Sequence, residues 1–284
     1  MNLRKVISAM ALCVAFSATA LRFGNEATDT TRINDVLVDL VAHNFASPSE
    51  RTAYTAKKFV GTPYAAHTLE GTPEQLTVRL DSLDCTTFVE TVLALSYTAA
   101  ERRSSWRDFV YNLERIRYRG GHLNGYPSRL HYISDWALDN SHRGNFDEVT
   151  DRVPHCTHVV RTIDFMSTHS DLYPALSDSA TLAAIKSVEA GYRSHRFPCV
   201  RATDLRRPEV QNALANGDVV ALVAKRTDLD VTHMGIIIKD EDGVPHLLHA
   251  SSSGGRVMIT EGSVADFFKR NPKLMGLRVF RLRE

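Results

Sequence analysis

Apolar side chains recur at helical spacing in the first part of the chain: Ile33, Val36, Leu37, Leu40 and Val41 predict a helix over 33–45. A second helix is predicted over 50–60, broken by Gly61-Thr62-Pro63. The next begins near Cys85, where Phe88, Val89, Val92, Leu93 and Ser96 form a face apolar enough to be buried. Ser105 suits the N-cap of a helix over 106–117, and Asp178 or Ser179 opens another that ends around Gly191. From about residue 217 the pattern changes to short runs rich in Val, Ile and Leu between Gly and Asp turns, at 218–224, 231–238, 244–250, 256–260 and 277–282. Helices followed by a meander of strands predict an α+β domain. The stretch around 117–200, rich in Gly, Tyr, His and Arg, follows neither pattern and is expected to be an insertion beside the core.

At 284 residues and 43% hydrophobic, the chain is long enough for one substantial domain with an insertion, here 21–284. Its 34 Lys and Arg nearly balance 33 Asp and Glu, with no basic stripe, so nothing points to a nucleic-acid partner. Residues 1–20 have the form of an export signal: Arg4 and Lys5, an apolar run over 6–16, and Ala18-Thr19-Ala20 as a cleavage site. That run is shorter than the roughly 20 residues a membrane-spanning helix needs, so no stable insertion is expected after cleavage. Leu12 before Cys13 argues against lipidation. An exported, periplasmic or envelope-associated protein is the expectation. Cleavage leaves Cys85, Cys156 and Cys199, an odd number, so at least one thiol is free; Cys156 and Cys199 are open to pairing, which the sequence does not decide.

The sharpest chemical signal is Cys85 at the first turn of a buried helix, with Asp84 as its N-cap. Unsatisfied N–H groups and the helix dipole stabilise a thiolate there, and can bring a thiol from near 8.5 to about 3.5–7.5. Asp84 opposes this with its own charge. The same N–H groups can receive an oxyanion. Placement alone does not separate a nucleophile from a small buried cysteine.

A thiol nucleophile needs a base, and His233 lies in a strand with Gly235 two residues on, so that His233, Gly235 and Ile237 share a face and Gly235 leaves open space beside the imidazole. Glu241-Asp242-Gly243 suits a three-residue hairpin loop with Gly in the left-handed region. Asp240 then faces Val244, and counting back sets His233 opposite Ser251 with His249 as the diagonal neighbour on the same face. That is a base beside its orienter. A different loop length would turn His249 to the other face. A metal is the competing use of His233, His246, His249 and Cys85, but they form no CxxC or HExxH spacing and no metal or cofactor is expected.

With these residues in order, the sequence resembles the NlpC-type cell-wall cysteine peptidases, a papain-like superfamily. Gly61-Thr62-Pro63-Tyr64 is similar to the segment before the nucleophile, Asp84-Cys85 with Phe88-Val89 to the nucleophile motif, Thr232-His233-Met234-Gly235-Ile236 to the histidine strand, and Leu248-His249-Ala250-Ser251 to the third polar position. Thr86-Thr87 replaces the usual Ser-Gly, and the segment between Cys85 and His233 is long. Together with 83–95, 126–140 and 233–253, these departures resemble a related family of bacterial N-acetylmuramoyl-L-alanine amidases, over roughly 35–284.

The resemblance implies a papain-like core with a nucleophile-bearing helix on an antiparallel sheet, and hydrolysis of the muramoyl–L-alanine amide of peptidoglycan or muropeptides. It implies Cys85, His233 and His249 as nucleophile, base and orienter, with Tyr64, Asp84 and Thr86 as neighbours that hold substrate. Arg129, Tyr132, Asp135, Trp136 and Asn140 become candidates for sugar or peptide contacts; Tyr132, Trp136 and Asn140 also recur at helical spacing, which fits docking of the insertion on the core equally well. Two other functions fit less closely: cleavage at the D-glutamyl link of the stem peptide, and a cell-wall binding module without activity.

Overall fold

The computed structural model describes residues 21–283, so the predicted export signal, with Arg4, Lys5 and Cys13, lies outside the described residues. Strands β1 (Leu21–Phe23) and β2 (Leu76–Val78) form a small parallel pair. Helices α1 (Glu26–Ala42), α2 (Pro48–Lys57), α3 (Cys85–Ala100) and α4 (Trp106–Arg117) follow the predicted order. Helix α1 begins earlier than its apolar face suggests because the Asn25 side chain caps Thr28 N–H.

The main sheet is antiparallel and runs in the order β4 (Cys156–Arg161), β5 (His195–Arg201), β10 (Leu274–Leu282), β6 (Val219–Ala224), β7 (Val231–Lys239), β8 (Pro245–Ser251) and β9 (Arg256–Ile259). The α+β expectation thus holds, but the meander does not: the last strand lies between β5 and β6 instead of beside β9. Helix α9 (Val264–Arg270), started by a Ser263–Asp266 capping box that the pattern of apolar runs does not reveal, carries the chain back across the sheet. One face of the sheet packs on α1 to α4 through Val219, Ala221, Met234, Ile236, Leu248 and Ala250. The other packs on α9 and α8 (Pro208–Ala213) through Leu222, Ile237, Leu247, Val264 and Phe268. Helix α3 is enclosed on all sides, not on one face.

The segment around 117–200 is only partly an insertion. Helices α6 (Phe165–Thr168) and α7 (Ser179–Ala190) share a satellite core with Tyr126, Tyr132 and Tyr192. The same segment supplies β4, β5 and β3 (Phe146–Glu148) to the main sheet, while α5 (Ile133–His142) sends Trp136 into the main core. Register pairs Cys156 with Val200 and Thr157 with Cys199, so the two cysteines leave opposite faces of the β4–β5 ladder and stay as free thiols. Among the described residues no helix is long and apolar enough to cross a membrane.

Candidate active site

Helix α3 starts at Cys85 because Asp84 caps it in a reciprocal box: Thr87 N–H donates to Asp84 Oδ1 at 2.8 Å, and Asp84 N–H donates to Thr87 Oγ1 at 2.9 Å. Thr87, two residues after Cys85, therefore has a structural role. Asp84 Oδ1 also accepts the Thr87 hydroxyl at 2.9 Å, so this oxygen holds the helix end and not a ligand. Among the described residues the Cys85 N–H has no hydrogen-bond acceptor. The Thr86 hydroxyl lies 4.0 Å from Cys85 Sγ, and the backbone N–H groups of Met234 and Thr86 are near enough to favour its thiolate. The thiol thus lies against β7, one residue from His233.

Strand β7 is irregular at that point. Leu222 pairs with His233 and Val223 with Val231, leaving Thr232 as an extra residue in a β-bulge. Bulges re-aim the side chains beside them. Here Val231 and Met234 both face the helical core around α3, while His233 turns toward α9.

The hairpin count holds. Lys239 pairs with Pro245 and Ile236 with Leu248, Asp240 N–H donates to Val244 O at 3.2 Å, and Gly243 has φ of 78°. Extending that register places His249 diagonally to His233, and the two rings meet edge to face with His233 Nε2 2.7 Å from His249 Nδ1. Phe267 of α9 covers the pair, its ring centroid 6.4 Å from His233 and 5.4 Å from His249. Sequence reading missed Phe267, whose part depends on where α9 crosses.

Gly235 does not leave open space beside the imidazole. A Cβ there would lie 2.6 Å from Leu247 Cδ1 and 2.9 Å from the Leu248 carbonyl oxygen, so the glycine is needed for close approach of β8. Gly235→Ala is expected to destabilise the protein by about 1–3 kcal/mol through overpacking, measured by urea unfolding.

Burial, then the Asp84 charge, pushes the Cys85 thiol up to about 11. Burial, then His249, holds His233 down to about 3, and burial holds His249 down to about 4. At neutral pH the three groups are therefore uncharged. Because both histidines sit below their ordinary value of 6.5, the unfolded chain takes up protons as the pH falls past that value while the folded chain does not. The pair has no effect on stability above about pH 6.5 and costs up to about 1.4 kcal/mol per pH unit for each ring below it. Urea unfolding between about pH 7 and pH 4.5 checks this: a His233→Gln/His249→Gln variant should show a shallower loss of stability than the native chain. An equal slope would refute the assignment.

Tyr64 is held at the site by its N–H to the Gly255 carbonyl at 2.8 Å and by a bridge to Leu83; burial, then Cys85 and Asp84, raise its phenol. The candidates from the mid-chain segment are engaged by partners of their own. Arg129 is buried between Glu70 at 2.9 Å and Glu74 at 3.2 Å, over the Tyr126 ring. The Tyr132 hydroxyl donates to Glu189 and accepts from Met166 N–H, while Asp135 is held by Arg119 and by the Tyr192 hydroxyl. Trp136 packs between Phe146 and Phe280 at 1% exposure, and Asn140 is fully buried, donating to the Ile116 and Trp136 carbonyls. Trp136 and Asn140 present no surface to a sugar or peptide; they dock α5 on the core. Among the described residues no group of three or more His, Cys, Asp or Glu side chains is placed to hold a metal ion.

The sequence matches the model of the AmiA-like family, N-acetylmuramoyl-L-alanine amidase-like, over residues 54–277. The chain belongs to this family. Among solved structures, the AmiA-like chain is similar to an N-acetylmuramoyl-L-alanine amidase from Bacteroides uniformis ATCC 8492, with 33% identity and a TM-score of 0.77 over 84% of this chain and 99% of that one. A Bacteroides fragilis protein that carries a provisional xylanase name is 36% identical, with a TM-score of 0.74 over 81% of this chain and 100% of that one. A Legionella pneumophila protein shares the fold at 20% identity, with a TM-score of 0.71 over 91% and 96% of the two chains. Comparison with curated proteins finds no match.

Proposed function

We propose that this AmiA-like chain is an exported, cysteine-dependent N-acetylmuramoyl-L-alanine amidase on an NlpC-like, papain-type core, acting on peptidoglycan or muropeptides in the periplasm or cell envelope. The observation that carries the reading is the His233–His249 hydrogen bond of 2.7 Å, with His233 on the strand against which α3, starting at Cys85, packs. His233 Nδ1 is the ring nitrogen nearer its own backbone, hence nearer the Met234 N–H, and it has no hydrogen-bond partner among the described residues. For Nδ1 to accept a proton, Nε2–H must donate to His249 Nδ1, which leaves the His249 proton on Nε2. His249 thus fixes the tautomer and the ring plane of the base.

As Cys85 Sγ attacks the lactyl carbonyl carbon, its proton passes to His233 Nδ1 and the oxygen takes up negative charge facing the free Cys85 N–H. The imidazolium then protonates the alanine nitrogen, the C–N bond breaks, and a thioester remains on Cys85. His233 deprotonates a water that attacks this thioester, and the sulfur leaves and recovers its proton. The raised thiol and lowered imidazole mean that the nucleophile forms during attack and is not stored as an ion pair. Glycoside hydrolysis, the alternative suggested by the xylanase name of one relative, ordinarily uses two facing carboxylates. Among the described residues, Glu261 is the one carboxylate residue lining the groove beside the histidines.

Mass spectrometry of digested muropeptides identifies the bond. Release of stem peptides beginning with L-Ala, with intact muramic acid, is expected. Release of an L-Ala–D-Glu dipeptide, free or sugar-linked, would assign the chain to the D-glutamyl link instead, and no product at all would leave a binding module.

A further inference from the structure

Beside the histidine pair the surface opens into a groove of about 900 Å³, whose lining includes His233, His249, Ser251, Ser253, Arg270 and Lys273. The groove thus contains the proposed base and its orienter. Ser253 and Gly254 lead into Gly255, whose carbonyl accepts the Tyr64 N–H at 2.8 Å, and Tyr64 is near enough for the Cys85 charge to raise its phenol.

Part of the lining is cationic. Arg270 and Lys273 are exposed, and neither forms an ion pair among the described residues. Arg270 is instead held by one hydrogen bond, Nη2 to the Glu261 backbone carbonyl at 2.5 Å, which leaves most of its guanidinium free. Asp266, the nearest acid on its helix, is engaged by the Ser263 cap at 2.8 Å and by Arg206 at 3.6 Å. Ser251 and Ser253 add hydroxyls 3.2 Å apart. The Glu261 carboxylate is the opposing charge in the lining.

The two halves of a muramoyl peptide differ in charge. Once its lactyl carboxyl is in the amide, the muramic half is neutral. The peptide half carries free carboxylates, the first on the residue after L-Ala, about 7 Å from the scissile bond in an extended chain. A guanidinium with free N–H groups is suited to a carboxylate through its planar fork, and a nearby ammonium adds a point charge.

We propose that Arg270 and Lys273 bind the carboxylate of the second stem residue, so that this groove is the peptide subsite and the protein discriminates against stems in which that group is a carboxamide. The proposal rests on the amidase reading above. Arg270 and Lys273 are specificity residues and take no part in the bond-making steps.

The test uses the full chain with two substrates, N-acetylmuramoyl-L-alanyl-D-glutamate and N-acetylmuramoyl-L-alanyl-D-isoglutamine, which differ by one carboxylate. The expected kcat/KM is about tenfold or more higher for the acid. Arg270→Gln and Lys273→Gln should each reduce this preference through KM for the acid, the double variant should remove it, and Arg270→Lys should restore part of it. Native protein without preference, or variants that lose both substrates to the same extent, would overturn the proposal. If neither compound is hydrolysed, the amidase reading fails, and calorimetric binding of the same compounds to the Cys85→Ala chain decides the subsite separately. Tighter binding of the acid that the added Arg270→Gln/Lys273→Gln pair removes supports it; equal binding, or none, overturns it.

Discussion

Cys85→Ala is expected to lower turnover of muropeptides by about four orders of magnitude or more, while leaving the fold and its thermal midpoint close to native. The large effect follows from the proposed covalent step: without the sulfur no thioester can form, and the His233–His249 pair has no thiol proton to receive. The small structural effect follows from the local geometry. The α3 N-terminus is capped by Asp84 and Thr87, not by the thiol, so the substitution removes one sulfur and leaves each capping hydrogen bond in place. Liquid chromatography of muropeptide digests measures the first effect, and circular-dichroism melting the second. Undiminished hydrolysis by a folded Cys85→Ala chain would remove the nucleophile from the mechanism and leave His233 and His249 to be explained as a structural pair.

The largest effect on stability is expected at the ion pair that ties α3 to α4. Arg117 Nε donates to Glu90 Oε2 at 2.7 Å with both side chains almost fully buried, and Arg117 Nη1 donates to the Thr77 carbonyl of β2 at 2.7 Å. Arg117→Met leaves the Glu90 carboxylate in the core without a counter-charge and is expected to cost about 3–5 kcal/mol in urea unfolding. Burial already raises the Glu90 carboxyl, and Arg117 is the first group that opposes this rise. In the variant the carboxyl rises further and becomes neutral at higher pH. Its folded value then lies above the unfolded one, so the deficit relative to the native chain should shrink as the pH is lowered toward the ordinary carboxylate range. Glu90→Gln added to Arg117→Met should recover much of the loss because no buried charge remains. A deficit independent of pH would point to lost packing instead of a stranded carboxylate.

How much of this could be read from the chain alone depends on the range of the interactions involved. The 106–117 helix was legible because its cap and its apolar stripe are local; the observed α4 matches it, with the Ser105 side chain accepting from Arg107 N–H. Helix α5 was legible only in part. Tyr132, Trp136 and Asn140 showed a helical period, but a period does not tell a buried face from a ligand-binding face, and Trp136 proved to be core. Strands β4 and β5 were hidden because half of their positions carry His, Arg, Thr or Pro: one face of each is exposed, and their hydrophobic content falls below what a run of residues signals. The place of β10 between β5 and β6 has no local signature, since it is set by α9 crossing the far face of the sheet.

The sequence by itself determined a capped cysteine at the start of a buried helix and a hairpin whose three-residue loop sets His249 diagonal to His233. Both are short-range facts: a cap acts over three residues, and a tight turn propagates its register along the two strands it joins. The tertiary structure alone decided that the helix start meets the strand at Met234, that the Thr232 bulge turns His233 toward α9, that Phe267 covers the histidine pair, and that Trp136 and Asn140 belong to the core. These depend on contacts between segments far apart in the chain, where many packings satisfy the same local pattern and burial of the whole apolar surface selects among them.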